Sequence, residues 1–499
     1  MKILITGATG LLGSKFYHIL NKYHDVLGTY FSDYKEGYCY LSLLDKDSIN
    51  SVIDKSKPDV VIHTAGMANP DKCEENKEKA YKVNVTGTKY VVDACKRNST
   101  TLVFISSSHV FTKKNKVEEE KPNPINYYGQ TKFEAEAYVR KNIKDYIILR
   151  LTKLYGFTEE GNDFTKYVIN KLKNNHRVSM DNTLKYYPLV TDDVVELSRI
   201  LIDSGLRGTY NISTSKPYTK FEWAKLIAEV FNLDKTKLKP IEEKTIAKRP
   251  QNLYFFTKTL RGFDFNPTPL EVGLKIVKKQ MGCMFRMIYT TRPDVLVLNQ
   301  NASSFRIKIG EILAKKYPQN VDLVTAIPES GLFEATGYAA YMKIPFYFGI
   351  IRDYFTDKTL FSPNIDQRLK ALRKKLIIVK DVVKGKSIVL IDESIISGAT
   401  LKTVVQRLKE AGVKEVHVRV PSPIMVSNCK YNILAPDARL IARDFVGKEG
   451  VNKEEIEDKM AKHFKVDSLK YLSIEEFLSE LIAKEDACID CFRYSCKNS

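Results

Sequence analysis

Short apolar runs that end at small or polar residues and lead into amphipathic segments recur along the chain. The first run, KILIT, leads into GATGLLG and the stretch SKFYHILNKY, and DVLGTY, PDVVIHTA and TLVFISS follow. A strand buried on both faces of a sheet reads as a continuous apolar run, and strands that alternate with helices form parallel sheets. Residues 1–281 therefore predict an α/β fold with a Rossmann-type doubly wound parallel sheet, and about 157–281 interleave as a small substrate lobe.

A second series of the same kind follows residue 283. The run VDLVTAIPESG leads into the helical pattern LFEATGYAAYMK, and IVLIDESIISGAT leads into LKTVVQRLKEAG. We predict a second α/β domain over residues 283–499, joined to the first without a Gly/Ser-rich linker. The length of 499 residues also favours more than one domain.

Composition excludes some classes of function. Hydrophobic residues make up 43% and charged residues 28% of the chain, and no apolar run reaches membrane-spanning length. The first strand leads directly into a glycine loop, so we read no signal peptide and expect a cytoplasmic protein without a membrane partner. The formal net charge is +19, but the lysines are scattered and no stripe of arginine and aromatic residues occurs. Nucleic acid is therefore not an expected partner.

The loop GATGLLG carries the first candidate chemistry. Gly7 permits a tight turn, Gly10 lets the backbone approach a pyrophosphate, and Gly13 lets the helix pack on the strand. The loop lies between a predicted strand and a predicted helix, which is the context that a dinucleotide-binding site requires. The second strand ends in GTYFSD, without a clear ribose-binding acid or an arginine for a 2′-phosphate. The choice between NAD and NADP therefore stays open.

Tyr128 and Lys132 are four residues apart in NYYGQTK and share one helix face. A lysine beside a tyrosine favours the phenolate and makes the tyrosine a usable acid or base. Ser107 lies at the end of an earlier predicted strand, where its hydroxyl could bind a substrate carbonyl. Tyr-x-x-x-Lys is common on ordinary amphipathic helices, but the glycine loop and the serine-bearing strand end favour catalysis.

These motifs, with VVIHTAG, KVNVTGT and FISSSHVF, resemble the extended short-chain dehydrogenases/reductases. The nearest subgroup contains dTDP-4-dehydrorhamnose reductase and the NADP-binding regulatory subunit of methionine adenosyltransferase. The resemblance implies that Tyr128 donates the proton, that Lys132 binds the nicotinamide ribose and lowers the tyrosine pKa, and that Ser107 polarises the carbonyl. Ser108 and His109 stand where the reductases carry Asp-Tyr, which puts a sugar substrate in doubt. The implied residues of the cofactor site are Gly7, Thr9, Gly10, Leu11, Leu12, Gly13, Ala65, Asn84 and Lys132.

In IVLIDESIISGAT, two adjacent carboxylates, Asp392 and Glu393, follow an apolar strand. Small and hydroxyl residues before a helix leave backbone N–H groups free to surround a phosphate. The carboxylates can hold ribose hydroxyls, or Mg²⁺ through water. Taken alone, the stretch is equally well explained as an ordinary strand–helix turn.

The wider second half resembles type I phosphoribosyltransferases, and in particular the synthase half of glutamine phosphoribosyl pyrophosphate (PRPP) amidotransferase. The departures are Glu329 and Glu393, where aspartate is usual, and Ser397, where the family has arginine. The chain begins with the reductase, so we expect no glutaminase and a separate source of ammonia, together with a homo-oligomer. The implied PRPP-binding residues are Ser330, Gly331, Lys358, Lys375, Asp392, Glu393, Ser394, Ser397, Gly398, Ala399 and Thr400, with Mg²⁺ near Asp392 and Glu393.

The cysteines of the second half are clustered. Clustered cysteines in a cytosolic protein favour a metal over disulfides. The resemblance places Cys283, Cys429, Cys488 and Cys491 as the ligands of an iron–sulfur cluster, and we favour [4Fe–4S] over zinc. Cys496 lies outside this pattern.

We therefore expect a bifunctional enzyme, which reduces a sugar carbonyl with NAD(P)H and transfers an amine to PRPP. The alternative is a regulatory or scaffold protein, in which the first half binds NADP without turnover and the second senses PRPP or holds a cluster. A third possibility is a different amine or base as the acceptor.

Overall fold

The computed structural model describes residues 1–112, 122–159, 163–250, 265–352, 376–433, 438–446 and 452–493. The chain divides into two compact units, Met1–Lys278 and Lys279–Ser499, which are described in turn. No helix of the described residues is long and apolar enough to cross a bilayer.

A parallel seven-stranded sheet forms the centre of the first unit. Its spatial order is β11-β6-β5-β4-β1-β2-β3, so the order reverses between β1 and β4. This is the doubly wound arrangement that the sequence predicts, and the fold class is confirmed. The strands are β1 (Lys2–Thr6), β2 (Asp25–Tyr30), β3 (Cys39–Tyr40), β4 (Val60–His63), β5 (Thr101–Ser107), β6 (Tyr146–Leu151) and β11 (Gly208–Ile212).

Helices cover both faces of this sheet. Ile3 and Ile5 belong to one buried cluster and Leu4 to another, because successive side chains of a strand point to opposite faces. The helices of the unit, including those outside the sheet layers, are α1 (Leu11–Leu20), α2 (Lys46–Ser56), α3 (Pro70–Glu75), α4 (Lys77–Tyr81), α5 (Gly87–Arg97), α6 (Tyr127–Asn142), α7 (Phe164–Lys173), α8 (Thr191–Asp203), α9 (Lys220–Val230) and α10 (Leu270–Met281).

Short strand pairs and α9 form a smaller lobe. The helix begins with a capping box between Thr219 and Glu222, as the sequence predicts. Trp223 on this helix is buried against Tyr155 and Phe164 and belongs to the core. The pairs are β7 (Leu154–Tyr155) with β10 (Leu189–Val190), β8 (Val178–Asp181) with β13 (Leu238–Ile241), and β9 (Lys185–Tyr186) with β12 (Tyr218–Thr219).

The helical pattern around KVNVTGT contains an irregular turn. Residues Lys82–Thr86 form a π-helical turn between α4 and α5. Inside it, the Asn84 side chain accepts a hydrogen bond from Met67 N (2.7 Å) and donates one to Met67 O (3.0 Å). Such π turns are frequent at functional sites. The turn places Asn84 against the loop after β4.

The second unit is built on four parallel strands in the order β16-β19-β20-β21. The strands of the unit are β14 (Leu296–Val297), β15 (Gln300–Asn301), β16 (Leu323–Ala326), β17 (Ile350–Arg352), β18 (Leu376–Ile378), β19 (Ser387–Ile391), β20 (Glu415–Val420) and β21 (Ser468–Tyr471). The helices are α11 (Met284–Tyr289), α12 (Ala302–Lys316), α13 (Leu332–Met342), α14 (Lys380–Val383), α15 (Ala399–Glu410), α16 (Lys453–Phe464) and α17 (Ile474–Leu478).

The sheet of this unit separates two buried clusters. Val389 and Ile391 pack with α12 and α13, while Ile388 and Leu390 pack with α15 and α16. Residues Ala326 and Ile391 pair at the carboxyl ends of β16 and β19. The loops that follow these two strands therefore lie side by side.

Candidate active sites of the two units

The glycine loop after β1 has the geometry of a phosphate cradle. Gly7 has φ of +68°, and a Cβ there would lie 2.9 Å from Ala65 Cα. A Cβ on Gly13 would lie 2.2 Å from Gly7 O, so only glycine lets α1 approach this closely. Gly10 is the N-cap of α1 and has no side chain to bond the first backbone N–H groups of the helix. The N–H groups of Leu11 and Leu12 are therefore available to a ligand. Thr9 lies between these glycines.

Asn84 and Lys132 meet beside the loop after β4. A Cβ on Gly66 would lie 3.0 Å from Asn84 Oδ1 and 3.7 Å from Lys132 Nζ. Lys132 Nζ donates to Ile105 O (3.0 Å) and lies 5.0 Å from the centre of the Phe104 ring. Burial lowers the pKa of Lys132 to about 8, and the neighbouring Cys73 and Glu136 oppose this shift.

Tyr128 lies in the first turn of α6, beside Ser107 at the end of β5. Burial raises the pKa of Tyr128 to about 12, and a hydrogen bond with the Ser107 side chain opposes this. Lys132 directs its ammonium group to Ile105 O. The expectation that Lys132 lowers the Tyr128 pKa stays a prediction. With its pKa raised to about 12, the phenol is protonated at neutral pH, as a proton donor must be.

His109 lies against Tyr128, and the sequence pattern gave it no role. The two rings are 5.5 Å apart and nearly perpendicular. His109 N donates to Ser107 Oγ (3.2 Å), and His109 Nδ1 lies 2.9 Å from Asn126 Nδ2. Burial lowers the pKa of His109 to about 4, with smaller effects of the Arg249 and Lys153 cations. The ring is neutral at physiological pH.

A buried ion network fixes the end of β5 to α6. Glu136 accepts from Ser106 Oγ (2.5 Å), from Arg150 Nη2 (2.7 Å) and from Arg140 Nη2 (2.6 Å). Glu136 and Arg150 are 0% and 1% exposed. Burial acts to raise the pKa of Glu136, but the arginines and Ser106 more than offset it, so the pKa is lowered. The network holds Ser106, next to Ser107, on the helix that carries Tyr128 and Lys132.

The second unit brings two loops together at one sheet edge. Ile327 N donates to Ile391 O (2.9 Å), and a Cβ on Gly331 would lie 2.8 Å from the same oxygen. Gly331 begins α13 and Gly398 begins α15, both without a side-chain cap. The uncapped N–H groups of Ala399, Thr400 and the start of α13 are suited to phosphate. Gly398 has φ of +72° and packs against Phe464, which excludes a larger residue.

The carboxylate pair lies buried at this edge. Burial raises the pKa of Asp392 and of Glu393, and the proximity of Glu393 raises that of Asp392 further. Glu393 hydrogen-bonds Ser330 of the other loop, while Glu393 Oε2 and Ser394 Oγ are buried without a partner. Ser397 is exposed. Ser330, Gly331 and the residues from Asp392 to Thr400 are thus brought together, whereas Lys358 and Lys375 lie outside the described residues.

A third carboxylate was missed by the sequence analysis. Glu334 on α13 is 0% exposed, and neither of its carboxylate oxygens has a hydrogen-bond partner. Burial raises its pKa to about 8; the Arg306 cation opposes this shift and Glu393 adds to it. Arg306 itself donates to Met287 O (2.9 Å) and Thr291 O (2.7 Å). In the sequence, the feature that could have identified Glu334 is a single charged residue inside the otherwise apolar helix pattern LFEATGYAAYM.

The four cysteines that the family resemblance selects line one small cavity. Cys283, Cys429, Cys488 and Cys491 surround it together with Tyr431. Arg286 N lies 3.5 Å from Cys283 Sγ, and Tyr431 N lies 3.4 Å from Cys429 Sγ. Burial raises the thiol pKa of Cys283 to about 12 and that of Cys488 to about 11. Among the described residues, no three His, Cys, Asp or Glu side chains are placed to hold a single metal ion.

Two family models match the chain. The model of the RmlD substrate binding domain matches residues 1–282, and that of the phosphoribosyl transferase domain matches residues 300–428. Among solved structures, the dTDP-4-dehydrorhamnose reductase of Bacillus anthracis in complex with NADP has a TM-score of 0.51 at 27% identity and covers 55% of this chain and 98% of its own. The Clostridium acetobutylicum orthologue has a TM-score of 0.50 at 30% identity, with coverage of 56% and 98%.

Curated relatives match both halves. The amidophosphoribosyltransferase of Methanocaldococcus jannaschii is 36% identical over 229 residues, which are 46% of this chain and 46% of that protein. The chain thus spans about half the length of this relative. The methionine adenosyltransferase 2 subunit beta of Bos taurus is 32% identical over 288 residues, which are 55% of this chain and 86% of that protein.

Proposed function

Because the chain belongs, through residues 1–282, to the RmlD substrate binding domain family, we propose that its first unit reduces a sugar carbonyl with NADPH or NADH. The observation that carries the proposal is the contact of Tyr128 with Ser107 at the edge that also holds the glycine loop and Lys132. The NADP complex of the Bacillus anthracis reductase supports the cofactor class.

The chain's own residues have distinct parts in this reduction. The loop of Gly7, Gly10 and Gly13 with the start of α1 would hold the pyrophosphate, and Lys132 and Asn84 the nicotinamide ribose. The nicotinamide, when bound, supplies the hydride. Ser107 would donate a hydrogen bond to the substrate carbonyl, and Tyr128 would give its proton to the resulting oxygen.

Substitution of Tyr128 by Phe tests this reaction. The change removes the hydroxyl and keeps the ring against His109, so NADPH binding followed by fluorescence should be unchanged. Carbonyl-dependent NADPH oxidation should fall by about 10²-fold or more, which is the usual contribution of a general acid. If the full chain does not bind either nicotinamide cofactor, the proposal fails.

For the second unit we propose PRPP binding and transfer of an amine to C1 of the ribose with loss of pyrophosphate. The two adjoining loops and the buried pair Asp392–Glu393 support this site, and the match to the phosphoribosyl transferase domain supports the class. The partnerless Glu393 Oε2 suits Mg²⁺ that arrives with PRPP. Lys358 and Lys375 remain proposed phosphate contacts. The protein's part in such a transfer is mainly electrostatic positioning.

Release of pyrophosphate from PRPP and ammonia, measured in anaerobically purified protein, tests the transfer. An Asp392→Asn variant should lose most of this release, because the pair at the strand end loses a carboxylate. A partner glutaminase or free ammonia would supply the amine. If ammonia is not the acceptor, other amines can be screened with pyrophosphate release as the measured quantity.

We also propose that Cys283, Cys429, Cys488 and Cys491 hold a [4Fe–4S] cluster. The four thiols line one cavity, and four thiolates are a ligand set that an iron–sulfur cluster and zinc both use. The preference for the cluster rests on the resemblance to the iron–sulfur members of the amidotransferase family. The N–H groups near Cys283 and Cys429 would stabilise thiolate charge. Iron and sulfide analysis of anaerobically purified protein should find about four iron and four sulfide ions per chain. A Cys488→Ser variant should contain much less of both.

A second candidate is a regulatory protein whose first unit binds NADP without turnover. The similarity to methionine adenosyltransferase 2 subunit beta favours it, and the exposed Ser397 in place of an arginine weakens the case for a fast transferase. Tyr128→Phe separates the two candidates, because a regulatory readout would not change with loss of the phenol.

A further inference from the structure

His109 is held in a single orientation beside Tyr128. Its backbone N–H donates to Ser107 Oγ (3.2 Å), and its ring lies 5.5 Å from that of Tyr128. The histidine therefore stands next to the two side chains that would contact the substrate carbonyl.

The hydrogen bonds of Asn126 assign the tautomer of this histidine. Gly129 N donates to Asn126 Oδ1 (2.8 Å), which fixes which side of the amide is oxygen. Asn126 Nδ2 then donates to Lys248 O (2.8 Å) and faces His109 Nδ1 at 2.9 Å. Nδ1 must accept, so the ring proton is on Nε2. His109 thus offers a neutral N–H donor.

Lys153 lies at the same edge of the sheet. Ser107 and Leu151 are the last residues of the neighbouring strands β5 and β6, and they pair with each other. His109 and Lys153 each lie two residues beyond these strand ends. Lys153 is one of the cations that lower the pKa of the His109 ring. The residue keeps an exposed surface, while desolvation of its ammonium group and the nearby cations Lys220 and Arg249 lower the pKa of Lys153 itself.

The other cationic side chains near Lys153 already have hydrogen-bond or ion-pair partners. Arg249 donates to Asp71 Oδ2 (2.5 Å) and to Ala247 O (3.0 Å), and Lys220 forms an ion pair with Glu243. Among the described residues, no carboxylate lies within 4.0 Å of the Lys153 ammonium group. Lys153 is therefore a cation available to a ligand beside the reacting centre.

We propose that His109 Nε2 and Lys153 bind an anionic group of the substrate, a phosphate or a carboxylate, placed a few bonds from the carbonyl that is reduced. This inference rests on the reductase function proposed above and names its substrate class as compact anionic carbonyl compounds. A neutral sugar ring would leave Lys153 with only the more distant carboxylates of Asp163 and Glu243. A nucleotide sugar, whose charges lie beyond the ring, would reach other groups.

The test uses the full chain and the fluorescence of bound NADPH, which reports only on the nicotinamide site. D-glyceraldehyde 3-phosphate, glyoxylate, D-glyceraldehyde and UDP-glucose are titrated in turn. We expect one of the two anionic compounds to change the signal at a concentration about tenfold or more below that of D-glyceraldehyde. Phosphate and carboxylate are distinguished by which of them acts.

Two variants and a control locate the effect. Lys153→Met should weaken the response to the effective anion by about tenfold or more, because a charge-assisted hydrogen bond is lost. His109→Phe keeps the ring packing and should weaken it less. Lys55→Met, an exposed lysine on α2, should change nothing, and all three should bind NADPH as the parent does.

The outcomes separate the two proposals. If the parent does not bind NADPH, the reductase function and this inference fall together. If NADPH binds, but D-glyceraldehyde or UDP-glucose acts as well as the anions, or Lys153→Met changes nothing, the inference is overturned and the reductase function stands.

Discussion

Both units contain a completely buried glutamate next to the candidate site, and these two glutamates are ionised differently. Glu136 in the first unit and Glu334 in the second are both 0% exposed. The pKa of Glu136 is lowered, because Arg150, Arg140 and Ser106 bond its carboxylate. The pKa of Glu334 is raised to about 8, because burial removes water and no hydrogen-bond partner replaces it. Burial alone does not set the charge of a carboxyl; its partners do.

The difference extends to the sites that the two glutamates adjoin. In the first unit, the ion network is complete and holds Ser106 beside Ser107 before any ligand binds. In the second, the raised pKa values of Asp392, Glu393 and Glu334 favour neutral carboxyls. A divalent cation at Asp392 and Glu393 would have to displace protons, so its binding should weaken as pH falls.

Removal of Glu136 should have the largest effect on stability. A Glu136→Leu change leaves Arg150 buried without its carboxylate, which should cost about 3–5 kcal/mol. The chain has one tryptophan, Trp223, which is buried in the first unit. Urea unfolding followed by tryptophan fluorescence therefore reports on this unit alone.

Glu134→Leu is the matched control, because Glu134 lies on the same helix and accepts a hydrogen bond from Gln130 Nε2 (2.8 Å) rather than from a buried arginine. The urea midpoint of the Glu134→Leu variant should differ little from that of the parent. The double change Glu136→Leu with Arg150→Met should recover part of the loss, since no buried charge then lacks a partner. A single change that costs less than 1 kcal/mol would contradict the account of Glu136.

Removal of Glu334 should act in the opposite direction. Glu334→Leu replaces a partnerless buried carboxyl with an apolar side chain, and we expect stabilisation by about 1–4 kcal/mol above pH 8. Far-UV circular dichroism should show the shift, while the Trp223 transition should not move.

The pH dependence distinguishes Glu334 from a simple packing effect. Below pH 4.5, the ordinary value for glutamate, both folded and unfolded states hold the proton and the pKa shift adds no penalty. Between pH 4.5 and about 8, the unfolded chain ionises first, so the parent loses stability as pH rises. The advantage of Glu334→Leu should therefore grow across this window and level off above it. An advantage independent of pH, or one equalled by Glu410→Gln at an exposed site, would contradict the assignment.

The sequence predicted what depends on local pattern. Continuous apolar runs identified β1, β4, β5, β16 and β19 because buried parallel strands have that composition. The glycine loop was recognisable because Gly7 needs a positive φ and Gly13 a close backbone approach. Ser107, Tyr128 and Lys132 could be selected because strand ends and a helix face set their positions.

The remaining features depend on contacts between distant segments. The tautomer of His109 is set by Asn126, 17 residues away, and the Asn84 side chain is held by Met67 in another loop. Glu334 is buried where α12 packs closely on its turn, since a Cβ on Gly310 would lie 2.1 Å from the backbone oxygen of Glu334. The periodic pattern of apolar residues along the sequence carries no information about such contacts. The orientation of Lys132 toward Ile105 O is equally non-local.

The smallest expected effect concerns Ser397 in the loop before α15. Ser397 is exposed, and its hydroxyl oxygen accepts a long hydrogen bond from Ala399 N, at 3.5 Å. A Ser397→Arg change adds a cation at the edge where the phosphates of PRPP are proposed to bind, and should tighten PRPP binding by up to about tenfold. Gln406→Arg, exposed two turns further along α15, adds the same charge away from the loop and should change the affinity much less. Calorimetric titration of PRPP with Mg²⁺ measures both variants. Equal gains would mean that only the net charge matters, and no gain with Ser397→Arg would show that the loop does not hold the phosphates.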